Sequence, residues 1–156
     1  MAQMTPTIVP ATVEDSAAIL ELQKLCFQSE AELYDDPNIP PLLETLDELC
    51  HETAETRMLK LSIEGTVMGS VRAHMERGTC HIGRLMVHPD HQHQGFGSRL
   101  VTAIEREFPT AQRFEIFTGS RSEGNIALYQ RLGYNEFRRH EAHPGLTLVF
   151  LEKPNR

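Results

Sequence analysis

Apolar and polar residues alternate along several short stretches of this chain, which is typical of strands. Three of these stretches, Met58–Glu64, Thr66–Glu76 and Thr79–Val87, are separated only by Glu64-Gly65 and Arg77-Gly78. Because short breaks that contain glycine are typical of hairpins, the pattern predicts three consecutive antiparallel strands. Further strands are predicted at Thr7–Pro10, Arg113–Thr118, Tyr134–His140 and Thr147–Glu152.

Elsewhere the apolar residues recur every three or four positions, which is the spacing of a helix with one buried face. A capping pattern, Thr12-x-x-Asp15, begins the first predicted helix, which runs to about Gln28. Three more helices are predicted at 42–51, Gly95–Phe108 and Ser122–Leu132. A run of hairpins followed by strand–helix–strand units predicts one α+β domain over residues 1–156. Its central sheet is expected to be mixed, mostly antiparallel and of about seven strands, with flanking helices.

Composition excludes several classes of protein. Of the 156 residues, 40% are hydrophobic and 24% are charged, which is typical of a globular chain. The net charge of −7 argues against a nucleic-acid partner, because binding to phosphates requires a basic face. No apolar run is long enough to span a membrane, and Met1–Pro10 lacks the basic and apolar segments of a secretory leader. The three widely spaced cysteines do not suggest a disulfide framework, so we expect a cytoplasmic protein.

The charge is unevenly distributed along the chain. Residues 1–56, here called the acidic segment, contain 12 acidic residues and one base, Lys24, whereas residues 57–156 have a net charge of +4. This division suggests one surface that attracts cations and another that attracts anions. The alternative is that the acidic helices are simply solvated and keep the protein in solution.

The stretch from His81 to Ser98 contains the most informative pattern. An apolar strand leads into a polar loop, and the loop leads into a helix through Gly95 and Gly97. The first N–H groups of a helix have no internal acceptor and favour anions such as phosphate. A dinucleotide-binding loop is excluded because Leu100 stands where its third glycine would be, and a P-loop is excluded because no Gly-Lys-Ser/Thr occurs.

Two motifs in this half of the chain resemble those of one enzyme family. Gln92-x-x-Gly95-x-Gly97 resembles the acyl-CoA motif of the GNAT superfamily of N-acetyltransferases, and Asn125-x-x-x-Tyr129-x-x-x-Gly133-Tyr134 resembles its second motif. The chain is therefore identified as a member of that family. The resemblance implies acetyl-CoA as co-substrate, bound by residues 79–134 in a cleft where two strands splay apart. It also implies that helices within residues 1–56 flank the acceptor.

The resemblance assigns roles to individual cofactor-binding residues. Met86 and Val87 are expected to pair with the pantetheine arm, next to a strand bulge that opens the cleft, and the Val87 N–H is expected to stabilise the oxyanion. Asn125 is expected to hydrogen-bond the pantetheine region. The CoA pyrophosphate is expected to bind the backbone of a continuous run, Gln92, His93, Gln94, Gly95, Phe96, Gly97 and Ser98.

Acetyl transfer to an amine requires a base for the ammonium and an acid for the leaving thiolate. Tyr129, one helical turn after Asn125, matches the acid of the family, although a core tyrosine would have the same spacing. His81 stands 14 positions before Gly95, where the best-studied histone-acetylating branch has a glutamate base. Imidazole titrates near neutral pH and suits this role. Glu115 or an ordered water are the alternatives.

These observations predict direct transfer of an acetyl group from acetyl-CoA to a primary amine in a ternary complex. The acidic residues between Cys26 and Glu52 favour a cationic small molecule or a peptide amine as acceptor. The alternative is a non-catalytic acyl-CoA-binding or regulatory module on the same fold. The histidines of His88-x-x-His91-x-His93 lie in the expected phosphate loop without an accompanying cysteine, so we expect no metal. Members of the family often form homodimers, and the sequence leaves that state open.

Overall fold

A computed structural model describes residues 5–156 of the chain. Within this range, seven strands form one sheet and six helices pack on its faces. The strands are β1 (Pro6–Pro10), β2 (Arg57–Ile63), β3 (Thr66–Glu76), β4 (Thr79–Val87), β5 (Arg113–Gly119), β6 (Asn135–His143) and β7 (Leu146–Pro154). The helices are α1 (Ser16–Cys26), α2 (Gln28–Leu33), α3 (Pro40–Leu43), α4 (Leu46–Glu55), α5 (Phe96–Arg106) and α6 (Glu123–Arg131).

The sheet has the strand order β1-β2-β3-β4-β5-β7-β6. Its neighbours are antiparallel except for β4 and β5, which are parallel because α5 crosses over between them. This arrangement confirms the predicted α+β fold with a mixed, mostly antiparallel sheet. All seven predicted strands are present, and the predicted bounds of β3 and β4 are those observed.

The two faces of the sheet bury different clusters of apolar residues. Cys80 and Ile82 of β4 pack with Leu100, Val101 and Ile104 of α5 in the larger cluster. On the other face, Ile19 and Leu20 of α1 pack with Leu49 of α4 and Met58 of β2. Because side chains alternate along a strand, His81, which lies between Cys80 and Ile82, faces the α1 side of the sheet.

A buried ion pair ties the acidic segment to the sheet. Arg72 of β3 donates to Glu44 (2.8 Å) and to the Gln23 side chain (2.9 Å), and Gln23 donates to Glu44 (2.8 Å). Burial opposes ionisation of Glu44, but the hydrogen bonds from Arg72 and Gln23 hold the pKa of that carboxyl below its ordinary value. Part of the negative charge of the acidic segment is therefore neutralised inside the fold.

The helices of the acidic segment differ from their predicted bounds. The first predicted helix ends at Cys26, and α2 begins at Gln28, where the prediction ended. The helix predicted at 42–51 is interrupted after Leu43, so its first residues belong to α3 and the others to α4. Glu44 adopts extended backbone angles at the break, and α4 then begins with a capping box in which Thr45 and Glu48 accept each other's N–H groups (3.2 and 2.9 Å).

Candidate active site

A bulge in β4 separates it from β5 and opens a cleft. Ser70 pairs with Met86 and Arg72 pairs with Gly83, so Arg84 and Leu85 both lie opposite Val71 of β3. Arg84 occupies the left-handed region with φ of 50°. The parallel pairing with β5 covers only Thr79–Ile82, and the strands diverge beyond it. A bulge bends its strand and increases its twist, which accounts for the divergence. The bulge and cleft expected from the family resemblance are both present.

The loop after β4 ends at the free N-terminus of α5. Gly95, the residue before the helix, has φ of 82°, a backbone conformation that favours glycine. The first hydrogen bond of the helix runs from the Arg99 N–H to the Gly95 carbonyl (3.1 Å). The N–H groups of Phe96, Gly97 and Ser98 therefore have no acceptor within the helix, and the helix dipole adds positive potential there. This geometry suits a phosphate group.

A cavity of about 290 Å³ extends from this helix end along the open side of β4. Of the residues predicted to bind the cofactor, all but Gln94 line it: Met86, Val87, Gln92, His93, Gly95, Phe96, Gly97, Ser98 and Asn125. The loop is held against the strand because the Gln92 side chain donates to the Val87 carbonyl (3.3 Å). The predicted cofactor residues are therefore brought together, although their binding role stays a prediction.

The opposite side of the cavity comes from the acidic segment, for which the sequence predicts the acceptor side but no role for any single residue. The C-terminus of α1 and the start of α2 supply Cys26, Phe27, Ser29 and Glu30. The Cys26 thiol donates to the Val87 carbonyl (3.4 Å), and burial raises the pKa of this thiol to about 11. Leu85, His91, Gly124, Leu128 and Arg131 complete the lining. No local motif marks the α1–α2 residues, because their position depends on how α1 packs against the sheet.

Tyr129 is buried in the larger apolar cluster, with its ring 6.2 Å from that of Tyr134, and it lies behind the cavity lining, to which its α6 neighbours Asn125 and Leu128 belong. It follows Asn125 by one turn of α6, as the sequence predicts. Burial, together with the negative charge of Glu30, raises the pKa of Tyr129 well above its ordinary value. The phenol is therefore protonated throughout the physiological range, which is the state that a general acid requires.

The two candidate bases of the sequence analysis lie side by side but away from the cavity. His81 pairs in register with Glu115 of β5, and its Nδ1 lies 3.4 Å from a Glu115 oxygen. The His81 ring stacks on His74 at 5.2 Å, and Glu115 accepts from Arg113 (2.7 Å). Both residues lie where β4 and β5 are still paired, on the face opposite Cys80. Tyr129 packs with Cys80 on the other face, so the structure does not bring His81 and Tyr129 together in one cluster.

The histidine-rich loop has its own local contacts. His88 accepts the N–H of Asp90 (3.0 Å), and the His91 ring lies 6.3 Å from that of Phe96. Among residues 5–156, no three side chains of His, Cys, Asp or Glu are placed to hold a metal ion. Over the same range, no helix has the length and apolar character needed to cross a membrane.

A family model described as acetyltransferase (GNAT) family matches residues 17–134, which include the cleft and both motifs. The chain belongs to the GNAT acetyltransferase family. It is 26% identical over 139 residues to the UPF0157 protein YqkA from Bacillus subtilis (strain 168), and this match covers 88% of the chain but only 40% of that relative.

Solved structures of GNAT proteins have the same fold. The ribosomal-protein-S18-alanine N-acetyltransferase from Escherichia coli superposes with a TM-score of 0.79 at 17% identity, over 97% of this chain and 94% of the other. The yncA protein from Salmonella typhimurium, solved with its cofactor acetyl-CoA, gives 0.77 at 20% identity, over 99% and 95%. The PaiA N-acetyltransferase from Thermoplasma acidophilum, in complex with coenzyme A, gives 0.77 at 14% identity, over 97% and 99%.

Proposed function

We propose that this chain transfers an acetyl group from acetyl-CoA directly to a primary amine. The observation that carries the proposal is the cleft beside β4, which ends on the free N–H groups of α5 and is lined by Asn125 one turn from Tyr129. Acetyl-CoA fits this arrangement, because its pyrophosphate suits the helix end and its pantetheine arm suits the exposed edge of β4 beyond Ile82.

In the proposed reaction the amine attacks the thioester carbonyl, and the C–S bond breaks with its electron pair on sulfur. The ammonium form of the acceptor loses two protons in total. One proton passes to solvent through the base, and the other replaces the proton that Tyr129 gives to the CoA sulfur. The Val87 N–H is the proposed donor to the oxyanion, and the raised pKa of Tyr129 keeps its proton available.

We propose a cationic small molecule or a peptide amine as acceptor. The support for this is the carboxylate of Glu30 on the cleft and the −11 charge of the acidic segment. The remaining acids of α2 and its following loop lie off this cleft and are given no part in binding the acceptor. Glu32, Asp35 and Asp36 line a separate hollow with Lys24. A cytoplasmic location and a homodimer stay predictions.

The test is release of free CoA thiol from acetyl-CoA in the presence of a panel of amines. The panel contains spermidine, kanamycin, an alanine-initiated hexapeptide and, as an anionic acceptor, glutamate. We expect spermidine, kanamycin or the peptide to accelerate thiol release. Saturable acetyl-CoA binding without release against any amine would contradict transfer and favour the non-catalytic module. A clear preference for glutamate would contradict the cationic acceptor alone.

A further inference from the structure

Glu30 occupies a distinctive place on the cleft. It projects from the short helix α2 and is half-buried. Among the described residues 5–156 that line the cavity, Glu30 is the only carboxylate. The other titratable groups on the lining are the Cys26 thiol, the His91 and His93 imidazoles and the Arg131 guanidinium.

The contacts of Glu30 place it at the end of the cleft where the chemistry is proposed. Its Oε1 atom lies 3.5 Å from the Asn125 amide, and Asn125 also donates to Thr118 (3.2 Å). Asn125 belongs to the second family motif and precedes Tyr129 by one turn. The charge of Glu30 is close enough to Tyr129 to contribute to the raised pKa of that phenol. Glu30 is therefore near both the residue expected to hold pantetheine and the predicted acid.

A chain of hydrogen bonds fixes the Glu30 carboxylate. The Arg121 N–H donates to the Tyr34 hydroxyl (3.0 Å), which lies 2.7 Å from the Ser122 hydroxyl, and Ser122 donates to Oε2 of Glu30 (2.7 Å). Each hydroxyl has one hydrogen. Since Ser122 uses its hydrogen on Glu30, Tyr34 must donate to Ser122. These hydrogen bonds therefore all run in one direction, from the Arg121 N–H to the Glu30 carboxylate, which only accepts. Since Oε2 accepts from Ser122, Oε1 is left facing Asn125 and the cleft.

The position of Glu30 contrasts with that of the bases predicted from sequence. His81 and Glu115 pair with each other on the strand segment before the splay, and neither lines the cavity. Glu30 lines it directly. A base must come within hydrogen-bond reach of the proton that it removes, so position favours Glu30.

We propose that Glu30 is the general base of the acetyl transfer, an assignment that rests on the proposed function. The carboxylate binds the ammonium of the acceptor and takes one of its protons. The freed lone pair forms the N–C bond to the thioester carbonyl, and the C–S bond breaks with its electron pair on sulfur. Tyr129 protonates the sulfur and recovers a proton from the nitrogen of the adduct. Glu30 then releases its proton to solvent, which restores both residues.

The experiment compares Glu30→Gln with wild type and with Glu32→Gln as the matched control. Glutamine keeps the oxygen that accepts from Ser122, so the fold is expected to survive. Glu32 lies on the same helix but is exposed and lines the separate hollow. We measure kcat/KM between pH 6.5 and 9.5 for the amine of the panel (spermidine, kanamycin or the hexapeptide) that wild type acetylates fastest, and acetyl-CoA affinity by calorimetry.

We expect Glu30→Gln to lower kcat/KM about 100-fold near pH 7 and to bind acetyl-CoA like wild type, whereas Glu32→Gln stays within about twofold of wild type. The loss of kcat/KM in Glu30→Gln should become smaller as the pH rises. At higher pH a larger fraction of the amine is already deprotonated in solution and does not need a base from the protein. In Glu30→Ala, added formate should restore part of the rate. These three results would support the assignment.

Two outcomes would contradict it in different ways. If wild type acetylates one of the amines and Glu30→Gln does so equally fast, the base role is overturned and the acetyltransferase proposal stands. A deficit that is constant with pH and is not restored by formate has the same meaning. Acetyl-CoA binding by wild type without transfer to spermidine or to any other amine of the panel would overturn the proposed function, and the base role with it.

Discussion

The Tyr34 hydroxyl bonds to Ser122 by passing close to the backbone of Gly119, and replacing Gly119 with alanine tests whether that close approach needs a residue without a side chain. Gly119 is the last residue of β5, and its φ is not in the left-handed region, so alanine suits its backbone. A Cβ there would overlap the hydroxyl oxygen and Cζ of Tyr34 and lie 2.9 Å from its Cε2. Ordinary contact begins at 3.4 Å, so the ring would have to move. A shift of roughly 1 Å would break the hydrogen bonds of Tyr34 to Ser122 and Arg121.

The expected loss of stability follows from these contacts. Two hydrogen bonds contribute about 1 kcal/mol each. Overpacking adds about 1–3 kcal/mol, and the lower backbone entropy of alanine in the unfolded chain offsets up to about 1 kcal/mol. We therefore expect Gly119→Ala to lower the free energy of unfolding by about 2–5 kcal/mol. The measurement is equilibrium unfolding in urea, read as a shift of the midpoint at unchanged slope.

Two controls isolate the cause. Gly83→Ala in β4 places a Cβ with no heavy atom within 4 Å, so it should be neutral or stabilising by up to about 1 kcal/mol. In a Tyr34→Ala background, Gly119→Ala should have almost no further effect, because the overlapping atoms are gone. If Gly119→Ala is as stable as Gly83→Ala, or if its effect persists without the Tyr34 ring, the proposed cause is wrong.

Three further predictions concern the site. Tyr129→Phe should lower kcat about 100-fold with little change in acetyl-CoA affinity, and near-wild-type turnover in this variant would exclude the acid role. Because burial raises the pKa of Tyr129, the wild-type kcat should not fall between pH 8 and 10 through loss of the acid. Burial raises the pKa of the Cys26 thiol to about 11, so iodoacetamide at pH 8 should alkylate it roughly 100-fold more slowly than an ordinary thiol. The rate is measured by peptide mass spectrometry, and a rate like that of an ordinary thiol would contradict the burial of Cys26 against Val87. His81→Ala should leave the acidic limb of the pH–rate profile unchanged, whereas loss of that limb would return the base role to His81.

The sequence was sufficient for the sheet and the cofactor loop because both depend on local patterns. Alternation and glycine breaks place β3 and β4 at their observed bounds, and Gly95 and Gly97 mark the helix start beside the cleft. The bulge followed from the family resemblance. Its left-handed residue is Arg84, which is not a residue type that marks such a backbone from sequence alone.

The acceptor side of the site depends on contacts between distant parts of the chain. Glu30 reaches Asn125, which is 95 positions away, because the end of α2 is held against the turn after β5 by the contacts of Tyr34 with Arg121 and Ser122. Glu44 interrupts a predicted helix where its side chain pairs with Arg72, 28 positions away. Neither contact leaves a periodic or spaced pattern in the sequence. The −11 charge of the acidic segment therefore could not show which of its acids lie on the cleft.

Calorimetric titration with acetyl-CoA tests the central claim, that the cleft beside β4 is the acetyl-CoA site. Gly124 lines this cleft at the start of α6, and a Cβ there meets no heavy atom within 4 Å. Phenylalanine at this position should fill the cleft without loss of fold, because it is a better helix former than glycine. We predict one saturable site in wild type and none in Gly124→Phe. No binding by wild type, or equal binding by the variant, would contradict the claim.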